Sequence, residues 1–305
     1  MKLKLILLLA IISPIVFSFF YDISASENAS VTQPATQIKW HMLIIELFGG
    51  MSLFLYGMDK MGRGMKNIAG NKMRSFLSAL TSGRILGLFV GIIFTIMVQS
   101  STATTVMLVS FVEAGFLTFG RCLSVILGAD IGTTVTTQLI AFKITQYALF
   151  AVTIGFCLQL LSSKDFHKQI GLAILGFGLL FFGMEIMSNA MIPLRNHPGF
   201  LNILGHLENP LLAVCVGCLC TILIHSSGAF IGIIIVFAQQ HLISLEAGIP
   251  LLLGSNIGTC FTTILASIGT SRDAKRVAIA HVAFKVLGVL LFIWWIPSFA
   301  QLIQW

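Results

Sequence analysis

Residues 128–134 read Gly-Ala-Asp-Ile-Gly-Thr-Thr, and residues 254–260 read Gly-Ser-Asn-Ile-Gly-Thr-Cys. The second stretch begins 126 residues after the first. The same offset aligns another pair of motifs, Gln-Ser-Ser-Thr-Ala at residues 99–103 with His-Ser-Ser-Gly-Ala at residues 225–229. Two motifs that recur together at one offset indicate that the chain contains two copies of one structural unit.

The alignment of the two copies extends beyond these motifs. From residue 90 to residue 142, 16 of 53 positions are identical to residues 216–268, without a gap. A shared apolar bias explains some matches on Ile and Leu, but it does not explain the matches on Gly, Ser and Thr. The repeat is therefore a property of the fold rather than of the composition.

The composition is that of a membrane protein. Apolar residues make up 57% of the 305 residues, charged residues make up only 10%, and the mean hydropathy is +0.97. A soluble domain carries about a quarter charged residues, so lipid must solvate much of this surface. The formal net charge is +7, but the basic residues are concentrated in short stretches between apolar segments. This distribution indicates cytoplasmic loops rather than a nucleic-acid partner.

The basic residues also predict that the two copies have opposite orientations. Residues 60–84 carry six Lys and Arg residues, whereas their counterpart, residues 186–210, carries only Arg195. The turn after the second copy, residues 269–276, carries three, whereas the turn after the first carries only Lys143. The positive-inside rule then places one end of each copy in the cytoplasm, and these are opposite ends. Inverted repeats of this kind are common in secondary transporters.

The apolar segments predict the course of the chain through the membrane. The stretches predicted to span it as helices are residues 44–58, 147–161, 170–187 and 277–296. Two longer regions, residues 85–142 and 211–268, are apolar but interrupted by Gly, Ser and Thr. Irregular backbone at this depth is tolerated only where it is buried in protein or lines a cavity. We therefore predict an all-α integral membrane protein of two inverted-topology repeats with broken or re-entrant helices.

Four domains follow from this pattern. Residues 1–40 are a signal-like or anchor segment with an extracytoplasmic linker, residues 41–168 and 169–276 are the two repeats, and residues 277–305 are a final transmembrane helix with a short tail. The apolar run that follows the first two lysines fits a cleaved signal sequence and an uncleaved anchor helix equally well.

The Ser-rich motifs point to an oxyanion. Hydroxyl and carboxamide groups within the membrane need polar partners, and a helix that begins there adds free N–H donors and a favourable dipole. Hydrogen bonds between packed helices are the structural alternative, but the recurrence of the motif in both copies favours a substrate site. The candidate substrate-binding residues are Gln99, Ser100, Ser101, Thr102, His225, Ser226 and Ser227.

The Gly-rich motifs point to a hard cation. Their glycines permit a helix break that exposes carbonyl oxygens, and carbonyl, hydroxyl, carboxylate and amide oxygens are suitable ligands for such an ion. Close packing of helices on the glycines is the alternative. The candidate sodium ligands are Asp130, Thr133, Thr134, Asn256 and Thr259. Near the start of the last helix, His281 and Lys285 lie four residues apart, and the Lys285 side chain is expected to snorkel to the cytoplasmic surface.

At these residues the chain resembles the bacterial sodium/phosphate cotransporters, which are relatives of the animal type II sodium–phosphate cotransporters. The resemblance rests on residues 99–103 and 128–134 and extends to residues 53–58 (LFLYGM), 135–143 (VTTQLIAFK) and 269–282 (GTSRDAKRVAIAHV). It implies that phosphate is held between the paired Ser-rich motifs, that sodium binds nearby as the coupling ion without any other cofactor, and that transport proceeds by alternating access.

The resemblance covers residues 43–295 and implies a multi-pass protein of the cytoplasmic (inner) membrane. It also has departures. His225 stands where Gln is expected and Gly228 where Ser or Thr is expected, while Asp130 and Lys285 each stand where Asn is usual. The expected partners are phosphate, sodium and the lipid bilayer. A homo-oligomer and a separate cytoplasmic regulatory protein are both compatible with the sequence.

Two other functions compete with sodium-coupled phosphate symport. The first is a non-transporting phosphate sensor or accessory membrane subunit that kept the fold, which the altered second motif favours. The second is an intramembrane hydrolase that uses Ser100 or Ser226 with His225. A hydrolase needs a base oriented toward the nucleophile, and neighbouring helix residues such as His225 and Ser226 do not face each other, so we do not expect an enzyme.

The departure at His225 has two opposite consequences for phosphate: the loss of one amide group lowers the affinity, whereas a protonated imidazole raises it. The second consequence predicts an unusual pH dependence. An imidazole gains positive charge as the pH falls through the physiological range, and a protonated imidazole attracts phosphate. We therefore expect phosphate uptake by the wild type to increase more steeply on acidification than uptake by a His225→Gln variant, measured between about pH 6 and pH 8. Identical pH curves for the two proteins would refute a role for this side chain.

Overall fold

The computed structural model describes residues 38–69, 83–142 and 145–304. The signal-like segment up to residue 37, together with the basic residues Lys72, Arg74 and Lys143, lies outside the described residues. The described part of the chain contains helices and no strand. Its α-helices are α1 (Trp40–Ala69), α2 (Arg84–Val98), α3 (Ser101–Glu113), α4 (Phe119–Ala141), α5 (Ala148–Leu161), α6 (Asp165–Met191), α7 (Pro198–Gly205), α8 (Pro210–Ile224), α9 (Ser227–Gln239), α10 (Leu245–Gly258), α11 (Cys260–Ala266), α12 (Arg272–Phe292) and α13 (Ile296–Gln304).

Several of these helices are long and apolar enough to cross a bilayer, so the chain is a multi-pass membrane protein. The five stretches that meet this test in the described residues are Trp40–Ile68, Phe119–Ala141, Asp165–Asn196, Leu245–Ala266 and Arg272–Ile303. A sixth span is formed if Pro198–Glu208 and Pro210–Ile224, which meet at an angle of 105°, count as one. The span predicted at residues 147–161 forms α5 within one residue, but its 14 residues reach only about 21 Å, less than the hydrocarbon core of about 30 Å.

The same helices recur at the offset found in the sequence. Both α8 and α9 begin and end 126 residues after α2 and α3, and α10 begins 126 residues after α4. In both copies a helix of 15 residues is followed, after a two-residue break, by a helix of 13 residues. The two Gly-, Ser- and Thr-punctured regions are therefore broken helices, as predicted. The domain boundaries drawn from the sequence stay a prediction.

Glycines set the packing of α2 on α4. A Cβ atom on Gly128 would lie 2.0 Å from the carbonyl oxygen of Leu88, and one on Gly132 would lie 2.7 Å from that of Ile92. The contacts advance along both helices in the same direction, so α2 and α4 run parallel. The second copy repeats this register, with Gly254 against Val214 in the α8–α10 pair.

Parallel packing of α2 and α4 makes the α2–α3 unit a re-entrant hairpin. Since α4 starts where α3 ends and runs alongside α2, α3 has to return toward the side from which α2 started. The far end of α3 agrees with this course, because Val112 shares one hydrophobic cluster with Val90 in the first half of α2 and with Cys122 near the start of α4. At the same end, the Ser271 N–H before α12 donates to Glu113 Oε2 at 2.7 Å. Hydrogen bonds from Ser271 lower the pKa of this exposed carboxyl group.

The expected helix break at the Gly-rich motifs is wrong. Helix α4 continues through residues 128–134 without interruption. In the second copy only Thr259 separates α10 from α11, and its φ of −61° and ψ of −27° are still right-handed helical. The glycines are required by close helix packing, which the sequence left as the alternative, because any side chain there would overlap a neighbouring backbone.

The first helices of the two copies pack against each other in opposite directions. Gly50 of α1 lies against Gly183 of α6, Gly57 lies against Leu180, and Gly64 lies against Ala173. Sequence numbers rise along one helix as they fall along the other, so α1 and α6 are antiparallel. Glycines on both helices allow the two backbones to approach closely, as is common at helix interfaces in membranes.

The packing of α2 on α4 can be tested by adding a methyl group. We expect Gly128→Ala to lower the free energy of unfolding by about 1–3 kcal/mol, because the new Cβ overlaps a backbone carbonyl that cannot move aside. Gly120→Ala in the same helix is the matched control, since no atom lies within 4 Å of its Cβ position. Thermal unfolding in detergent measures both, and equal midpoints would contradict the packing.

Candidate functional site

The first Ser-rich motif forms the break between α2 and α3. Gln99 ends α2 in the left-handed conformation, with φ at 59°, and its N–H donates to the carbonyl oxygen of Thr95. Ser100 is extended, and its hydroxyl oxygen accepts the N–H of Ala103 at 3.1 Å. The hydroxyl therefore acts as the N-cap from which α3 starts.

The second motif has the same local structure despite its different sequence. His225 ends α8 with φ at 57°, and the Ser226 hydroxyl oxygen accepts the N–H of Ala229 at 3.2 Å. A non-glycine residue in this conformation costs about 1–2 kcal/mol, and such strain is typical of functional sites. Replacement of Gln by His leaves the backbone unchanged, because the following Ser provides the cap.

Each break leaves backbone donors free within the membrane. Among the described residues, the N–H groups of Ser101 and Thr102 in α3, and of Ser227 and Gly228 in α9, have no backbone acceptor. The α2 helix has 15 residues, so the first break lies about 22 Å from its start, a distance shorter than the hydrocarbon core of about 30 Å. A helix N-terminus with free N–H groups is an anion-binding arrangement.

One face of α1 brings the two motifs together. The Cβ of Gln99 lies 3.6 Å from the Cβ position of Gly62, and the Sδ of Met58 lies 3.3 Å from the Cβ position of Gly228. Met58 and Gly62 are four residues apart and share one face of the helix. The breaks of the two copies therefore lie along one face of α1, with contacts about 6 Å apart along its axis.

The predicted substrate residues differ in exposure. Ser101 is buried, whereas Ser100, Thr102, Ser226 and Ser227 are half-buried and His225 is exposed. Gln99 turns back on its own helix, since its Nε2 donates to the carbonyl oxygen of Ile96 at 2.6 Å.

The Gly-rich motifs meet at a lysine. The Nζ of Lys285 in α12 lies 2.8 Å from Asp130 Oδ1 in α4 and donates to Asn256 Oδ1 in α10 at 3.3 Å. Asp130 and Asn256 are equivalent positions of the two copies, so one ammonium group joins them. The expectation that Lys285 snorkels to the surface is wrong, because its side chain is only 12% exposed.

The other predicted sodium ligands form hydrogen bonds within their own helices. The hydroxyl groups of Thr133, Thr134 and Thr259 donate to carbonyl oxygens three or four residues earlier, at 3.0, 2.7 and 2.6 Å. The structure thus joins two of the five predicted ligands, Asp130 and Asn256, through a cationic side chain. Both Asp130 and Lys285 stand where the family that the chain resembles usually has Asn. The two departures, one acidic and one basic, are the sequence signal from which their contact could have been predicted.

A buried histidine completes this cluster. His281 lies one turn before Lys285 and is fully buried, and its Nε2 is 3.9 Å from Asp130 Oδ1. Neither ring nitrogen has a hydrogen-bond partner within the described part of the chain. The Sγ of Cys260 lies 3.9 Å from the backbone carbonyl oxygen of His281.

Comparison with known proteins identifies the family to which this chain belongs. Residues 53–189 and 197–302 match the profile of the Na+/Pi-cotransporter family. The chain belongs to this family. The Na+/Pi-cotransporter family is a family of transporters and not a class of enzymes.

Three relatives show how far the similarity extends along this Na+/Pi-cotransporter family member. The chain is 36% identical over 252 residues to "Uncharacterized protein YqeW" of Bacillus subtilis, with 82% of each chain covered. It is 26% identical over 261 residues to "Putative inorganic phosphate export protein YjbB" of Escherichia coli K12, which covers 85% of this chain but only 48% of the relative. It is 32% identical over 139 residues to human "Sodium-dependent phosphate transport protein 2B", which covers 42% of this chain and 20% of the relative.

The chain thus spans about half the length of its Escherichia coli relative. No solved structure matches it. The Ser-rich breaks and the Asp130–Lys285–Asn256 cluster all lie within the residues that match the Na+/Pi-cotransporter family.

Proposed function

We propose that this protein moves inorganic phosphate across the cytoplasmic membrane and holds the anion between the breaks at residues 99–102 and 225–228. The observation that carries the proposal is the convergence of both breaks on one face of α1. Family membership and two relatives named for phosphate transport or export support the choice of anion.

The chemistry of the two breaks suits a tetrahedral oxyanion. Each break offers free first-turn N–H groups and the positive end of a helix dipole. The hydroxyl groups of Ser100 and Ser226 accept from their cap amides, and each still has its own hydrogen to donate. Phosphate oxygens accept several such bonds at once, and bonds to a charged acceptor are the strong ones.

We also propose that the two copies are inverted repeats that alternate access to this site. The antiparallel packing of α1 on α6, which are equivalent helices, supports the inversion. The opposite placement of basic residues in the two copies supports it as well. A site at the interface of inverted repeats can open to either side by rocking one repeat against the other.

Sodium as the coupling ion is a further part of the proposal, and it rests on family membership. The oxygens of Thr133, Thr134 and Thr259 stay candidates for a sodium site. The Asp130–Asn256 pair is already bridged by the Lys285 ammonium group.

The proposal is tested by the flux of labelled phosphate in proteoliposomes. We expect Ser101→Ala to reduce the flux about tenfold or more, because a hydrogen bond to a charged group contributes about 1.5–3 kcal/mol. Ser110→Ala in the same helix is the matched control, since its hydroxyl is exposed and donates to the carbonyl oxygen of Val106. The control should transport phosphate like the wild type.

Each outcome of this experiment has a defined meaning. A flux that responds to an imposed sodium gradient would support sodium coupling as well as phosphate transport. A folded wild type that binds phosphate without moving it would favour the alternative of a sensor or accessory subunit. Equal flux in Ser101→Ala and Ser110→Ala would contradict the proposed binding site.

A further inference from the structure

We infer that the Lys285 ammonium group occupies the place of a bound monovalent cation between the two repeats, so that the Asp130–Asn256 pair takes no sodium in this protein. Lys285 is then a residue that determines ion specificity. Two measurements test this inference: the sodium dependence of phosphate flux (the flux arm), which rests on the proposed function, and sodium binding followed by thermal unfolding (the binding arm), which does not.

The geometry of the cluster supports this inference. Equivalent positions of the two copies present one oxygen atom each, and both oxygens lie within 3.3 Å of the same ammonium nitrogen. A carboxylate and an amide oxygen are the ligands that a hard cation prefers. A lysine ammonium group is a compact point charge, and here it is the cation that these two oxygens share.

Burial makes the ammonium group necessary. Asp130 Oδ1 is enclosed and receives no well-directed hydrogen bond in the described part of the chain, so the ammonium group 2.8 Å away compensates its charge. A buried charge without a partner is strongly destabilising. A sodium ion added to the same pair would place two cations beside one carboxylate.

The remaining neighbours do not change this balance. His281 faces the carboxylate from the same helix as Lys285, with its Nε2 at 3.9 Å, and the Sγ of Cys260 in α11 lies 3.9 Å from the backbone carbonyl oxygen of His281. Asp130 is the acidic side chain within ion-pair distance of Lys285 among the described residues. The ion pair of Lys285 with Asp130 is therefore electrically neutral when both groups are ionised.

A covalently attached cation has a consequence for transport. It cannot leave the site with the substrate, so it draws no energy from an ion gradient. This position therefore adds no sodium to the transport cycle, and sodium coupling, where it operates, uses other ligands. Substitution of Lys285 by a neutral amide should open the position to sodium, because it leaves the Asp130 carboxylate without its partner.

The binding arm compares thermal unfolding in sodium chloride with that in choline chloride at equal ionic strength. A ligand that binds only the folded protein raises its midpoint. We expect Lys285→Asn to unfold at a lower temperature than the wild type in choline and to recover part of the loss in sodium. Lys275→Asn, an exposed position on the same helix, is the matched control and should respond to sodium like the wild type.

Two further variants keep the inference falsifiable. The double variant Asp130→Asn with Lys285→Asn removes both charges, and its response to sodium should be smaller than that of Lys285→Asn alone. Lys285→Gln replaces Lys285→Asn if the latter does not fold. A sodium-specific rise in the wild type that Asp130→Asn abolishes would overturn the inference, and so would equal sodium responses in the wild type and in both Lys285 variants.

The flux arm separates this inference from the proposed function. The sodium dependence of phosphate flux should be steeper in Lys285→Asn than in the wild type, with a Hill coefficient larger by about one. A sodium dependence of equal steepness would count against the inference. Absence of phosphate flux in every protein would contradict the proposed function, while the thermal shifts would still decide the role of Lys285.

Discussion

A helix that ends inside a bilayer leaves backbone N–H and C=O groups where no water can satisfy them. This constraint explains much of the structure. Each break is capped by a Ser hydroxyl group, follows a residue in a left-handed conformation, and lies against α1. The amides that remain free after capping are the donors that a phosphate ion can use.

The close packing of helices at glycines determines where the two breaks lie. Contacts as close as those of Gly128 and Gly254 hold α2 parallel to α4 and α8 parallel to α10, and parallel packing forces the intervening helix to turn back. The hairpin therefore penetrates the membrane without crossing it. Antiparallel packing of α1 on α6, also through glycines, then brings the two hairpins to a common helix. Glycine thus determines both the packing of helices within each copy and the packing of one copy on the other.

The sequence predicted the repeat, its helical class and the positions of the breaks, because these depend on local composition and on an internal offset. It failed at the Gly-rich motifs, where a glycine that permits a break and a glycine that permits close packing look alike. It also failed at Lys285, since a lysine on an apolar helix predicts snorkelling until the distant Asp130 and Asn256 are known to lie beside it. Contacts between helices that are far apart in sequence leave no periodic pattern.

The two Ser-rich motifs are proposed to form one phosphate site, and equilibrium binding of labelled phosphate to the purified protein tests this most directly. We expect one phosphate per chain, with binding weakened alike by Ser101→Ala and by Ser227→Ala, which alter equivalent positions of the two copies. Two phosphates per chain, or binding that survives in full when either motif is changed, would contradict it.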